Sequence, residues 1–249
     1  ATVSTTTASP TINISGYVSV DGSMTLGGSG TGTMTIGGNL TGTGQVNFTG
    51  GAVHLASPAT NTTLNAGGTL PGTPWQFATL RTQNTSFPQR TVTIPATSRE
   101  IRVSAVFSAD LYADLNATAM TQPFTVTGDL VIAFGSSISA PPVLKVQGNF
   151  TNGGTFYSNT GTVNFTGAGT SAISWAVGNM YDMDISTPSK VVTIASNFTI
   201  NRNLTVAGGN CATPATLRSN SAGAARTIGR AGGTWTASSD TLAELVEAI

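Results

Sequence analysis

The sequence predicts an all-β protein, a β-solenoid-like (parallel β-helix) stack of repeats, and three observations carry that expectation. Only 8% of the 249 residues are charged, against roughly 25% in an ordinary globular domain. Thr, Ser, Gly and Asn fill the difference; Thr and Val favour pleated strands, while Gly and Asn favour the turns between them. A degenerate unit, apolar-x-x-Asn/Asp-Leu/Phe-Thr/Val, starts at Ile36, Val126, Val146, Ile194 and Ile200, with Asn39, Asp129, Asn149, Asn197 and Asn203 at its polar position. The segment Gly44-Gln-Val-Asn-Phe-Thr-Gly50 also recurs as Gly161-Thr-Val-Asn-Phe-Thr-Gly167. Internal repetition of this kind marks stacked architectures.

The repeat unit has a simple physical reading. An apolar strand residue faces inward, Gly or Asn takes the corner, and the following Leu or Phe re-enters the core with a Thr hydroxyl outside. Stacking such units buries a continuous column. A meander of short antiparallel strands presents nearly the same pattern, and the solenoid is the favoured reading.

Five stretches follow in chain order. Residues 1–20 comprise a Ser/Thr-rich tail to Pro10 and an alternating run in which Ile12, Ile14, Val18 and Val20 share one face. That run is the candidate inter-subunit strand. Residues 21–56 hold the first β repeats. Residues 57–123 lack the Gly-Asn repeat and carry four of the ten bases, so an inserted, sandwich-like or otherwise distinct β region is expected there. Residues 124–238 return to solenoid-like repeats. Residues 239–249 are the one helical stretch, with Leu242, Leu245, Val246 and Ile249 on one face and Ser239 or Asp240 as cap. Its expected place is over the open end of the stack or on a partner.

Charge excludes several function classes. Ten bases balance ten acids, and the bases form no dense run, so neither nucleic acid nor anionic lipid is an expected partner. No apolar run approaches the 18 or more residues of a membrane span. The chain starts at Ala1, which fits an exported, processed product. The single cysteine, Cys211, has no basic neighbour to activate it and reads as an inert thiol, with an intermolecular link as the alternative.

Chemistry-bearing constellations are scarce. His54 is the only histidine, so neither a triad nor a histidine-rich metal site is signalled. Asp182 and Asp184 share one side of a strand, as calcium ligands or the paired carboxylates of a polysaccharide-degrading β-helix enzyme would; a solvated strand edge is the plainer reading. Asp110 and Asp114 form a weaker pair. The glycine-rich run Gly27–Gly32 lacks the Lys-Ser/Thr of a phosphate cradle and reads as a turn. Thr-x-Thr steps have no fixed period, against an ice-binding face. No cofactor is expected.

Ten Asn-x-Ser/Thr sequons mark candidate glycan attachment at Asn13, Asn39, Asn47, Asn61, Asn84, Asn116, Asn149, Asn164, Asn197 and Asn203. Trp75, Trp175 and Trp235, with Tyr157 and Tyr181, are candidate stacking platforms for sugar rings, or core fillers.

The run Gly148-Asn-Phe-Thr-Asn-Gly-Gly-Thr-Phe-Tyr-Ser-Asn-Thr-Gly-Thr-Val-Asn-Phe-Thr-Gly167, followed by Met180-Tyr-Asp-Met-Asp-Ile185 and Val191-Val-Thr-Ile194, resembles the Gly/Asn/Thr-rich repeats of bacterial cell-surface and adhesin-like β-solenoid proteins. The resemblance covers about residues 124–210 well and 20–56 loosely. It implies an extracellular location, a structural or adhesive role, and no catalytic residues. The expected function is therefore a non-enzymatic subunit of a surface filament, pilus-like appendage or adhesin, whose partners are copies of itself or cell-surface components. A polysaccharide-binding surface module and a polysaccharide-degrading β-helix enzyme are the rivals.

Overall fold

The computed structural model describes residues 11–26, 32–56, 60–84, 87–209 and 212–237. Over these residues the chain is all β, and its strands stack in parallel into a β-solenoid of about nine turns. Every strand pairing is parallel, so the antiparallel meander is not what forms. At ~4.8 Å between paired strands, the stack is about 43 Å long. Among the described residues no helix is long and apolar enough to cross a membrane. The helical stretch 239–249, the tail 1–10 and Cys211 lie outside the described residues.

Three ladders run the length of the stack, and the chain visits them in fixed order, one pass making one coil. Thr11–Ile14 starts the first ladder, Val18–Ser19 the second and Ser23–Leu26 the third. Along the first ladder Thr11 lies opposite Thr33, Thr33 opposite Ala52, Ala52 opposite Thr79 and Thr79 opposite Val106. These offsets, 22, 19, 27 and 27 residues, show how uneven the coils are. Long strands such as Gln45–Leu55 and Trp75–Gln83 turn a corner and serve two ladders, with a register shift at the bend. The alternating run from Thr11 to Val20 is likewise two strands, broken around Gly16.

The core follows from period-two alternation. In Thr33–Ile36, Met34 and Ile36 are buried and the threonines half-buried. The duplicated Gln-Val-Asn-Phe and Thr-Val-Asn-Phe segments both fall on the third ladder, and each buries its Val and Phe (Val46, Phe48; Val163, Phe165) while Asn47 and Asn164 face out. Buried aromatics meet edge to face, between coils for Phe48 with Phe77 at 5.8 Å and for Trp175 against both Phe150 and Phe156, and within one coil for Phe107 with Phe124 at 5.0 Å. Each such side chain contributes roughly 1.5–3 kcal/mol by leaving water.

The corners are held by one recurrent contact. At all five repeat-unit positions the side-chain oxygen accepts the backbone N–H of the residue standing at the same place one coil on. Asn39 takes Thr63, Asp129 takes Asn149, Asn149 takes Ala172, Asn197 takes Thr227 and Asn203 takes Thr234, all at 2.8–3.0 Å. Asn61 does the same for Thr91, and Asp182 for Asn203. A corner breaks the regular ladder, and these bonds occupy backbone donors that the bend would otherwise leave without a strand partner.

Residues 57–123 correct the expectation of a sandwich-like insertion. Trp75–Gln83 pairs in parallel with Gln45–Leu55 on one side and with Ile101–Asp110 on the other, and Ile101–Asp110 continues to Phe124–Val126 and Asp129–Ile132. The middle region is thus more of the same stack. Its coils are longer because the connectors at 67–74 and 94–100 replace the short Gly-Asn corner. Arg99, 4% exposed, closes one of them by donating from Nε to the Ala66 carbonyl at 3.1 Å and from Nη2 to the Thr43 and Gly44 carbonyls.

Candidate functional site

Two outward clusters bring together residues of chemical interest. The first is on the third ladder. Asp182–Ile185 turns Met183 and Ile185 inward, so Asp182 and Asp184 share the outer side, as their spacing implies. The two carboxylates have separate duties. Asp182 is 7% exposed and receives Arg202 through both Nε (3.0 Å) and Nη2 (2.7 Å), as well as the Asn203 N–H. The Arg202 guanidinium also lies 4.9 Å from the centre of the Tyr181 ring, and the Asp182 bonds raise its pKa above the ordinary arginine value. Asp184 accepts the Ser186 hydroxyl and sits between Asn164 and Thr205 of the neighbouring coils. Asp182 therefore serves as a corner bond between coils, and the pair does not stand as two free carboxylates facing one gap.

The second cluster lies on the first ladder. His54 is opposite Arg81, and Arg81 opposite Ser108, on three consecutive coils. Arg81 Nη1 is 3.6 Å from Asp110 Oδ2, which also accepts the Ser108 hydroxyl at 3.0 Å. Burial and the Arg81 charge lower the His54 pKa, with Asp110 pulling the other way. The imidazole is thus neutral at pH 7, with one nitrogen donating and the other accepting. Sequence reasoning treated His54 as isolated, because its neighbours are each 27 residues further along and no local motif joins them. Asp114 stands apart from Asp110, on the second ladder, where it accepts the Ser137 hydroxyl. Among the described residues no three His, Cys, Asp or Glu side chains gather into a metal-binding group.

The expected sugar platforms are corrected for two of the three tryptophans. Trp75 is 0% and Trp175 7% exposed, each with its indole N–H on a carbonyl, Gly44 and Gly178 respectively. Their large apolar area is worth most inside the stack, where every inward position joins one continuous column. Trp235 is half-buried on the last described coil, with the Arg230 guanidinium 6.0 Å from its ring centre. Tyr157 is exposed on the second ladder.

The sequon asparagines divide by their place in the coil. Asn13, Asn39, Asn61, Asn149 and Asn197 are exposed, and Asn47, Asn116, Asn164 and Asn203 are half-buried. Asn84 is 1% exposed and donates from Nδ2 to the Pro88 carbonyl at 2.8 Å, so folding closes that side chain to attachment. Ile12, Ile14 and Val18 are half-buried and Val20 is buried. Their strands pair with the second coil of their own chain, which leaves the outer edges of Thr11–Ile14 and Val18–Ser19 for a further strand among the described residues.

The architecture makes this a β-solenoid protein. Compared with protein-family models, curated proteins and solved structures, the chain matches none of them.

Proposed function

We propose that this chain is a non-enzymatic extracellular structural protein, a rigid solenoid rod that serves as a subunit of a cell-surface filament or as a spacer in an adhesin. The observation that carries the reading is the parallel stack that runs through the described residues, bonded coil to coil at its corners by Asn and Asp side chains. A carboxylate and asparagines spent on holding coils together support a mechanical role over a chemical one. The low charge and the Thr-rich outer positions support an exposed, protease-resistant exterior of the bacterial surface type.

Assembly through the first coil has a stereochemical basis. The Ile14 carbonyl accepts the Gly37 N–H of the second coil, so Thr11 and Asn13, being the alternate residues, direct their backbone groups to the open edge. An edge of that kind templates a further strand. Negative-stain electron microscopy of the wild type beside Asn13→Pro tests this. Pro deletes one outward N–H and leaves the inward bonds of Ile12 and Ile14 in place. Filaments in the wild type that are lost in a folded Asn13→Pro variant support the subunit reading. Isolated rods in both samples remove the filament and leave the spacer.

A further inference from the structure

Large hydrophobic side chains are seldom exposed on this protein, and those that are concentrate in one place. Among the described residues eight stand exposed, and four of them, Phe87 (80%), Leu111 (51%), Tyr112 (42%) and Phe134 (87%), lie on three consecutive coils at the corner between the first and second ladders. They are contiguous. The Phe87 and Tyr112 rings meet edge to face at 6.4 Å, and the Tyr112 ring lies over Gly135, its Cε1 3.2 Å from where a Cβ would stand. Gln89 reaches across the intervening coil to donate to the Gly135 carbonyl at 2.7 Å.

The backbone that presents them is strained. Leu111 and Tyr112 have φ of +42° and +56°, a left-handed conformation that bulky side chains rarely adopt. The next coil meets the same corner with Gly135, at φ +80°. A left-handed corner built for packing alone would take glycine in both coils. Holding two large side chains in this conformation, turned toward solvent, fits a corner that contacts something.

What it contacts follows from the neighbours. Asp110 directly precedes Leu111 and lies opposite Gln83, and it joins the corner to the Arg81–Ser108–His54 cluster. Arg81 is matched by Asp110, and Arg90, whose backbone N–H donates to the Tyr112 carbonyl, lies opposite Ala113 next to Asp114, so the formal charges around the corner cancel and give phosphate, anionic lipid or nucleic acid no net attraction. The site does offer guanidinium and amide donors and carboxylate and amide acceptors beside apolar ring faces. That pairing suits a ligand with apolar C–H faces and a rim of hydroxyls.

We infer that the Phe87–Tyr112–Phe134 corner, with Arg81 and Asp110 beside it, is a binding site for a short neutral oligosaccharide. The rings provide the stacking surface, spread over about 10 Å across three coils, and the ion pair and glutamine provide polar contacts to hydroxyls. The inference does not depend on whether the rods polymerise.

The test is a titration of the full chain with cellohexaose, maltohexaose and mannohexaose, followed by NMR shifts and calorimetry. At least one binds at micromolar to millimolar concentration, with shifts confined to this corner. Phe134→Ala, which removes a ring that packs on little else, weakens it about tenfold or more at an unchanged melting temperature, and Arg81→Ala weakens it as well. Tyr157→Ala and Trp235→Ala leave affinity unaltered. No binding by any of the three at millimolar concentration, or binding indifferent to Phe134→Ala, overturns the inference. So does wild-type self-association abolished by Phe134→Ala, which would make the corner a contact between copies.

Discussion

Asp129 Oδ1 accepts the backbone N–H of Asn149 at 2.8 Å, and Asn149 Oδ1 accepts in turn the N–H of Ala172 at 2.9 Å. The two residues hold the same corner on consecutive coils, so the bonds form a line parallel to the stack. Asn39 and Asn197 do this at the corner between the first and second ladders, and Asn203 at the corner between the second and third. One local motif is therefore used at all three kinds of corner, though not in every coil.

Removing one link should cost little more than one hydrogen bond. Asn149→Ala is expected to lower stability by about 1 kcal/mol, read as a shift of the urea midpoint at constant slope. Asp129→Asn keeps the accepting oxygen and should shift the midpoint much less. Equal losses for the two would show that charge, and not the bond to Asn149, is what position 129 supplies.

Asp182 and Asp184 look alike in sequence and should behave differently. Asp182→Ala breaks both Arg202 bonds and strands the Asn203 N–H, for an expected loss of about 1–3 kcal/mol. Asp184→Ala loses a hydroxyl contact at a half-exposed position and should stay within about 1 kcal/mol. Thermal melts of the two variants side by side decide it.

Lys190 is 0% exposed at an inward position of the first ladder, its Nζ donating to the Gln147 carbonyl at 2.7 Å. No carboxylate pairs with it among the described residues, and burial lowers its pKa. Lys190→Met keeps the length and removes a charge that water can no longer solvate, and Ser171 still donates to the same carbonyl. Stabilisation by about 1 kcal/mol or more is expected. A loss in chemical denaturation would mean that the ammonium bond outweighs its desolvation.

His54 gives a pH dependence of definite sign. Its folded pKa lies below the ordinary value of about 6.5, so between the two values the unfolded chain holds more protons. Stability is fully present above pH 6.5 and declines as pH falls through the folded value. Glu100 acts lower down. Burial raises its pKa, but bonds from Arg102 and Thr125 and the nearby charges of Arg102 and Lys145 outweigh that and leave it below its ordinary value. Its share of stability is lost only in more acid solution. Urea midpoints should therefore fall between pH 7.5 and 5.5, and His54→Gln should flatten that fall. An identical fall in the variant would assign the dependence elsewhere.

The fold was legible where a coil is short. From Ile194 to Val206 the chain turns two corners with two copies of the motif, and both copies stand out in sequence. The unit is degenerate in its spacing because it marks corners, of which each coil has three, and not whole coils. Between Asn65 and Gly128 the corners are made by longer connectors and by Arg99, whose bonds reach back 55 and 56 residues. No local pattern announces such a contact. The same separation hid the clustering of His54, Arg81 and Asp110. The tryptophans misled for another reason: an aromatic on a strand reads equally as a platform or as core until its side of the pleat is known, and Trp75 and Trp175 alternate inward.

Because the backbone ladders join each coil only to the coils beside it, with Gln89, Arg99 and Lys190 among the few side chains that reach past a neighbour, and each coil is 19 to 27 residues long on the first ladder, tension along the axis would peel the end coil first. Freed from its neighbour, a coil of that size becomes an extended chain of roughly 65–90 Å, while the remainder keeps its own bonds intact. A rod anchored at one end and pulled at the other would then lengthen in discrete increments, one coil at a time, and shorten again by rewinding onto the coil still in place.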